Sequence, residues 1–395
     1  MTAGASPESR PRERLLTQTF ILLSASHFLH ALSYHLFLHL PGFLAGLGAR
    51  ELDIGVLSGL ASLAAILGRP PLGRVMDVRG RRPVVWAGGV LGALSCAAYL
   101  LVRDLGPLVY VVRIAHGVSE AMLFASLFAF AADIVPASRR IEGIGLFGVS
   151  GMLPMAIAGA LGDAILSRAS YSALFWTGAA ASVVALALSL PLSEPHRDRG
   201  EPPRGLWSAV VDRSLLPLWI GGLCFAVALA AHFNFLKTFV ITHPIARLGD
   251  FFTTYAVAAV FIRVAFGSLP ERLGPKRVLT AALLLLASGL VTLAFASARS
   301  HVVLAGLLAG IGHGYAFPIL LGLVITRARP TERGGALALY TALFDGGTLI
   351  GGPLLGAIIE AASYRTMFLS AAMLLLAGLA ILTVGDRRST PAHSA

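Results

Sequence analysis

The sequence predicts an all-α membrane protein with twelve transmembrane helices in two pseudo-symmetric six-helix bundles. An apolar composition, apolar segments of bilayer length and an internal repeat support this fold class. Of the 395 residues, 56% are hydrophobic and only 13% are charged, whereas soluble domains are about 25% charged. Mean hydropathy is +0.79. Charge-free segments such as residues 278–297 reach the ~20 residues that one span requires.

Twelve apolar segments along the chain are predicted as spans. They are expected at roughly residues 17–41, 53–76, 83–102, 105–132, 141–165, 172–192, 214–241, 251–270, 278–297, 301–326, 334–359 and 366–384. Loops on one side hold about two-thirds of the 31 lysines and arginines, and the positive-inside rule makes that side cytoplasmic. The net charge of +11 is therefore interpreted as a topology signal. We expect both termini in the cytoplasm and no nucleic-acid partner.

A polar segment rich in proline, glycine and charge divides the chain at residues 193–213 and is typical of a linker. The predicted organisation is a cytoplasmic tail (1–16), an N-terminal bundle (17–192), a cytoplasmic linker (193–213), a C-terminal bundle (214–384) and a second cytoplasmic tail (385–395).

An internal repeat relates the two bundles at a constant offset of 194 positions. The matched pairs are Arg69 and Arg263, Gly73 and Gly267, Asp77 and Glu271, Gly80 and Gly274, Arg82 and Lys276, Pro136 and Pro330, Arg139 and Arg333, and Gly162 and Gly356. Parallel repeats of six spans are typical of transporters whose substrate site lies near the membrane midplane, between the halves.

The pattern G-x-x-x-D-x-x-G-R-R, from Gly73 to Arg82 between spans two and three, resembles the signature loop of the major facilitator superfamily. A weaker copy lies between spans eight and nine. The resemblance covers essentially the whole chain, and residues 314–353 make it strongest to bacterial sugar and drug efflux permeases. It implies that superfamily's fold and a gating loop that closes the cytoplasmic side in one state. The predicted gating residues are Gly73, Asp77, Gly80, Arg81, Arg82, Gly267, Glu271 and Gly274, with Arg81 and Arg82 expected mainly to mark the cytoplasmic side.

Span five departs from the pattern of the superfamily's proton antiporters, which have Gly-Pro followed by paired glycines. Here Leu153 precedes Pro154, and Ile157 and Ala158 stand in place of the glycine pair. This departure weakens the case for export.

Span four has Arg113, His116, Gly117 and Glu120 at spacings that place them on one helix face. The resemblance links such an arginine, with a glycine four residues later, to proton handling. A carboxylate in a low-dielectric cavity can exchange protons near neutrality, so Glu120 is predicted as a coupling group. The alternative is a permanent Arg113–Glu120 pair that holds the helices in register.

Asp345 lies near the middle of span eleven. It is predicted to bind substrate or protons, or else to pair with a lysine or arginine across the cavity. The other cavity candidates are His27, His30, Tyr34, Asn234, Lys237 and His313. Lys237 either reaches out to water or attracts an anionic substrate.

Four further polar residues are predicted to be structural. His35 and His39 are expected at the external interface, with no metal bound. Arg69 and Arg263 are expected to support the loops at the cytoplasmic ends of their spans.

These features predict a secondary transporter that moves a small polar or amphiphilic molecule by alternating access. Proton-coupled efflux is favoured, with Glu120 and Asp345 binding substrate and protons in competition. Proton symport, facilitated uptake and a non-transporting receptor or scaffold are the alternatives. The absence of a G-x-x-x-x-G-K-[ST] motif argues against built-in ATP coupling. We expect no enzyme activity and no cofactor. The expected partners are substrate, protons and membrane lipid, bound by a monomer in the bacterial cytoplasmic membrane.

Overall fold

The computed structural model describes residues 14–136, 139–194, 215–329 and 333–389. Within these residues, twelve helices are long and apolar enough to cross a membrane, which confirms the predicted fold class. The predicted linker and tails lie largely outside the described residues, as does Pro330.

The spans are α1 (Gln18–Gly46), α2 (Glu51–Arg79), α3 (Arg82–Leu101), α4 (Pro107–Ile134), α5 (Arg140–Arg168), α6 (Tyr171–Ser189), α7 (Leu216–Thr242), α8 (Leu248–Ala265), α9 (Pro275–Ala294), α10 (Arg299–Arg327), α11 (Arg333–Ala361) and α12 (Tyr364–Ser389).

Two predicted boundaries need correction. Helix α1 continues through a 3-10 turn to Gly46, beyond the expected end at residue 41. Helix α8 ends at Ala265, before the expected 270, because a short separate helix, Leu269–Leu273, follows it.

Successive helices run in opposite directions, so their ends form two faces. We call the face at which α1 begins and α12 ends the tail face, and the opposite one the far face. Helices α1–α6 form the N-half and α7–α12 form the C-half. The halves meet mainly along two helix pairs, α2 with α11 and α5 with α8.

Glycines bring the two halves into backbone contact near the far face. A Cβ atom at Gly55 would lie 2.2 Å from the carbonyl oxygen of Gly352, and one at Gly249 would lie 2.8 Å from the backbone of Ala160. Nearer the tail face, a Cβ atom would meet no other atom within 4 Å at Gly73, Gly148 or Gly346. The halves are therefore closed against each other at the far face and diverge toward the tail face.

The signature motif is mostly helical, which corrects its prediction as a loop. Gly73 and Asp77 lie inside α2, and only Gly80 and Arg81 form the turn into α3. Gly80 has a φ of 98°, and its repeat partner Gly274 has a φ of 87°. Because this left-handed conformation favours glycine, both copies of the motif need glycine at this turn.

Candidate functional site

An ion pair joins the two halves at the level where they diverge. Nη2 of Arg69 on α2 lies 2.6 Å from Oδ2 of Asp345 on α11, with 23% and 22% of the two side chains exposed. Asp345 thus has the cross-cavity partner that was one of its predicted alternatives. The prediction for Arg69 was wrong: α2 continues to Arg79, which leaves Arg69 about 15 Å from the turn that it was expected to support.

Glu120 of α4 is a second acid close to this ion pair. It interacts electrostatically with Asp345 and Arg69 and lines a small pocket together with His30. Among the described residues, Glu120 has no hydrogen-bond or ion-pair partner, so the alternative of a permanent pair with Arg113 is not formed. One arginine therefore lies among two carboxylates contributed by different halves.

The rest of the predicted stripe on α4 has a different environment. Arg113 interacts electrostatically with Tyr34 and Tyr99. His116 is buried, with its ring edge-to-face 4.4 Å from Phe37. A Cβ atom at Gly117 would lie 2.6 Å from the carbonyl oxygen of Ala61 on α2. Gly117 thus allows α2 and α4 to pack closely.

The predicted stripe on α1 divides between two environments. His27 is buried against α5, where Nδ1 lies 2.8 Å from Oγ of Ser150. His30 is buried, and neither ring nitrogen has a hydrogen-bond partner in the part of the chain that the structure describes. Tyr34 interacts electrostatically with Glu120. The structure therefore brings His30 and Tyr34 close to the acids, and His27 packs within the N-half.

In the C-half, His313 of α10 lies in an aromatic cluster. The hydroxyl of Tyr255 hydrogen-bonds to Nδ1 of His313. The ring centroids of Phe225, Phe317 and Phe344 lie 5.6, 6.2 and 6.5 Å from that of His313. Because His313, Phe317 and Phe344 are only half-buried, the cluster keeps accessible aromatic surface next to Asp345.

Arg263 corresponds to Arg69 in the repeat, but it has no acidic partner among the described residues. Its Nε donates a hydrogen bond to the carbonyl oxygen of Gly314 at 2.9 Å, and its Nη1 contacts the sulfur of Met152 on α5. Asp345 corresponds to Gly151 at the same offset. Arg263 was predicted to support a loop, but it joins the two halves instead, and its hydrogen-bond partners among the described residues are uncharged.

Lys237 helps to close the far face. Its Nζ lies 3.8 Å from Oδ1 of Asp163, and Oδ2 of Asp163 accepts a hydrogen bond from the amide of Gly249 at 2.6 Å. Nδ1 of His39 lies 3.9 Å from the same carboxylate. Lys237 therefore pairs across the halves, which neither prediction for it anticipated. His39 was expected at the interface, but it is fully buried between α1 and α5.

A second polar contact at the far face involves Glu51 of α2. Its carboxylate accepts hydrogen bonds from Thr238 at 3.0 Å and from the hydroxyl of Tyr364. Glu51 and Asp163 were not predicted as site residues because acids at the ends of spans are ordinary. His232 of α7 was not predicted either; it is fully buried, and its ring nitrogens have no hydrogen-bond partner among the described residues.

Asn234, a predicted cavity residue, is buried, and its side-chain Nδ2 has no hydrogen-bond partner among the described residues. His35 uses Nδ1 to bond the carbonyl oxygen of Ala31 at 2.7 Å. No group of three His, Cys, Asp or Glu side chains that could hold a metal occurs in the part of the chain that the structure describes.

At the tail face, Arg81 organises the signature turn. Its Nε lies 3.2 Å from Oδ2 of Asp133 on α4, and its Nη1 lies 3.5 Å from Oδ1 of Asp77. These contacts go beyond the expected role of a topology marker, although all of them lie within the N-half. The guanidinium of Arg82 lies 4.4 Å from the ring of Trp86. In the C-half copy, Gly267 and Glu271 are exposed.

Comparison with known proteins agrees with this architecture. The family model described as "Major Facilitator Superfamily" matches residues 20–247 and 242–395. The uncharacterized MFS-type transporter YhhS of Salmonella enteritidis is 26% identical over 352 residues, or 86% of this chain and 85% of the relative. An uncharacterized MFS-type transporter of Burkholderia mallei is 28% identical over 362 residues, or 87% of this chain and 86% of the relative.

Solved transporter structures share the fold at low sequence identity. A point variant of the nucleoside transporter NupG has a TM-score of 0.79 at 14% identity, covering 93% of this chain and 100% of its own. A POT family transporter has a TM-score of 0.80 at 12% identity, covering 93% and 96%. A bacterial homologue of the human lysosomal transporter Spinster, in an inward-facing and occupied conformation, has a TM-score of 0.78 at 14% identity, covering 95% and 98%.

Proposed function

The chain belongs to the major facilitator superfamily and is a multi-pass membrane protein of the secondary transporter type, and we propose that it exports a small polar or amphiphilic molecule in exchange for protons. The observation that carries this proposal is the grouping of Arg69, Asp345 and Glu120 between the halves.

The charge balance of this group suits proton exchange. Charged side chains inside a membrane are costly unless they are paired, and among the described residues Arg69 is the cation in electrostatic contact with both acids. A second carboxylate without its own cation is readily neutralised by a proton or by a positively charged group of a substrate. Protons and substrate would thus compete for the same carboxylates.

The direction of exchange follows from the predicted topology. The positive-inside rule assigns the tail face to the cytoplasm, so substrate would reach the acids from that face in the present conformation and displace protons. After the far face opens, protons entering from outside would neutralise Glu120 and Asp345. Neutral acids hold a cationic or hydrogen-bonding substrate less well, and the substrate leaves.

The lining of the site supports the substrate class. The N-half contributes Tyr34, Arg113 and Glu120, whereas the C-half contributes Asp345 and the aromatic cluster around His313. A molecule with a charged or hydrogen-bonding end and a planar or apolar end matches both sides.

Proton release on substrate binding tests the proposal. Purified protein in weakly buffered detergent is mixed with a library of metabolites and drugs, and the pH is followed with an indicator dye. We expect at least one compound to release protons from the wild type and release to be lost in Glu120→Gln and Asp345→Asn. Asp104→Asn, an acid in the α3–α4 loop, is the matched control and should keep the release. Binding with no proton release, unchanged in both variants, would contradict antiport.

Uptake by proton symport or facilitated diffusion is the second candidate, which the altered glycine–proline pattern around Pro154 favours. Proteoliposomes separate the two. An imposed pH gradient should drive the identified compound against the direction of proton flow in antiport and with it in symport, and should have no effect in facilitated diffusion. A receptor or scaffold would show binding without flux in any gradient.

A further inference from the structure

The guanidinium of Arg263 lies near the middle of the membrane, although its backbone belongs to the tail-face end of α8. Its Nε donates to the carbonyl oxygen of Gly314 at 2.9 Å, and its Nη1 contacts the sulfur of Met152. Gly314 and Met152 lie near the centres of α10 and α5. Because helical side chains lean toward the N-terminus of their own helix, which for α8 is at the far face, this long side chain extends toward the midplane.

The repeat shows which group is missing beside Arg263. Arg69 on α2 pairs with Asp345 on α11, and at the offset of 194 the counterparts of these two residues are Arg263 on α8 and Gly151 on α5. A glycine thus stands at the position of the acid, and Arg263 has no acidic partner among the described residues. An unpaired cation in a membrane is costly, and an anionic ligand would offset that cost.

The space beside Arg263 is open toward the tail face. Gly148 lies one turn of α5 before Met152, on the tail-face side, and a Cβ atom there would meet no other atom within 4 Å. The same is true of Gly346, which follows Asp345 on α11. Arg263 and Asp345 therefore both border the region in which the halves diverge, and one ligand can approach both from the tail face.

An aromatic surface lies between these two charged residues. Phe344 precedes Asp345, and its ring centroid lies 6.5 Å from that of His313. His313 interacts electrostatically with Arg263. Its Nδ1 is bonded to the hydroxyl of Tyr255, whereas its Nε2 makes no hydrogen bond among the described residues. With the tyrosine donating to Nδ1, the ring proton is on Nε2, which is then free to donate to an anion next to the guanidinium.

We propose that Arg263 binds a carboxylate of the transported molecule, which is a zwitterion whose planar or apolar body separates its two charges. This inference rests on the proposed function and specifies its substrate class. The carboxylate takes the place that Asp345 has beside Arg69, the positive group lies at Asp345 and Glu120, and the body lies on the aromatic cluster around His313. A guanidinium has five N–H donors, and the contacts described above use two of them, so a carboxylate can be held in addition.

Binding of matched compounds to the purified full-length protein tests this inference, with concentration-dependent thermal stabilisation in detergent as the readout. The panel consists of para-aminomethyl benzoate, which has its charges at opposite ends of a ring, and homologues lengthened by methylene groups. Each zwitterion is compared with its methyl ester, which keeps only the positive charge. We expect wild type to bind the best zwitterion roughly 30-fold more tightly than its ester, because a hydrogen bond to a charged group contributes about this factor.

Variants at the arginine and at its neighbour on α5 identify the group that recognises the carboxylate. Arg263→Gln should lose the preference for the zwitterion and still bind the ester. Met152→Glu should lose it as well, because its carboxylate would pair with the guanidinium that Met152 now contacts. Met152→Gln, of the same length but uncharged, is the matched control and should keep the preference. Arg272→Gln, an exposed arginine at the tail face, should also keep it.

Equal binding of zwitterion and ester by wild type would overturn the inference, and so would failure of the whole panel to bind. An undiminished preference in folded Arg263→Gln or, if that variant does not fold, in Met152→Glu would also overturn it. Stabilisation by chloride or phosphatidylglycerol alone, removed by Arg263→Gln, would assign the arginine to an inorganic ion or a lipid instead. A preference that depends on Arg263 without proton release would contradict antiport and still support the zwitterion site.

Discussion

The far face and the tail face differ in how the two halves meet. At the far face, glycine backbones touch across α2 and α11, and Asp163 and Glu51 of the N-half bond to residues of the C-half. At the tail face, Arg81 of the signature turn contacts Asp133 and Asp77, which both belong to the N-half. The conformation is thus held closed at the far face, whereas these contacts of the signature turn at the tail face stay within the N-half.

This difference explains the position of the polar group at Arg69, Asp345 and Glu120. It lies where the halves separate, so it is reachable from the tail face and shielded from the far face. Alternating access requires the reverse arrangement in a second state. The exposed carboxylate of Asp77, 71% accessible here, is therefore available to contact the C-half when the tail face closes.

The largest effect is expected from blocking the backbone contact at the far face. In Gly55→Val, the new Cβ would meet the carbonyl oxygen of Gly352 at 2.2 Å, so α2 and α11 cannot close. Spin labels at Ala49 and Ala362 should report a wider far face, and flux should be lost. Gly322→Ala, where a Cβ meets no atom within 4 Å, is the control; an equal loss of flux there would contradict the explanation.

Arg69→Met should cost more stability than Arg263→Met, although the two arginines are repeat-related. Removing Arg69 leaves Asp345 without its ion-pair partner, which costs several kcal/mol at a fully buried site and about 2 kcal/mol at this partly exposed one. Arg263→Met instead removes contacts with the carbonyl oxygen of Gly314 and the sulfur of Met152, which are uncharged. Thermal unfolding in detergent measures the difference. Adding Asp345→Asn to Arg69→Met should restore part of the loss, and no recovery would argue against the ion pair.

Asp163→Asn should weaken closure of the far face by about 1 kcal/mol, because the Asp163–Lys237 pair is only 11% exposed on each side. Measured with the labels at Ala49 and Ala362, the population of molecules open at the far face should increase about fivefold. Arg50→Gln is the matched control, since the Arg50–Glu360 pair has a 66% exposed arginine and such pairs contribute little. A larger increase in the open population for Arg50→Gln than for Asp163→Asn would show that the Asp163–Lys237 pair does not hold the far face closed.

The smallest effect on stability is expected for Asp77→Asn. Its carboxylate is mostly exposed and Arg81 keeps Asp133, so the change in unfolding free energy should stay below about 0.5 kcal/mol. If Asp77 closes the tail face in the other state, the variant will favour the present conformation. Labels on Val78 and Leu273 should then show fewer closed molecules when substrate is bound. Unchanged distances between the two labels would show that Asp77 does not take part in gating.

Much of the fold was predictable because its signals are local. Span length and hydropathy predict the twelve helices, and the repeat predicts the relation between the halves. Gly80 and Gly274, paired by offset alone, both adopt the positive φ that their turns require. The grouping of Gly73 and Asp77 with the loop was wrong, because a glycine inside a long membrane helix does not end it.

The site was predictable only in part. Glu120 and Asp345 are recognisable as acids in the middle of spans, and the energetic cost of burying a charge there marks them as candidate functional residues. Their common neighbour Arg69 was predicted to support a loop, and Asp163 was missed, because each finds its partner on a helix of the other half. Sequence spacing carries no information about which side chains meet across that interface.

The sequence by itself determined the number of spans, the duplicated halves, the positions of the glycine turns and the presence of ionisable groups at mid-membrane, because hydrophobicity, periodicity and backbone conformation are properties of short segments. Only the tertiary structure decided that Arg69 pairs with Asp345 and that Lys237 and Asp163 close the far face. These outcomes depend on how the two halves pack, and side chains separated by many spans meet only after that packing is complete.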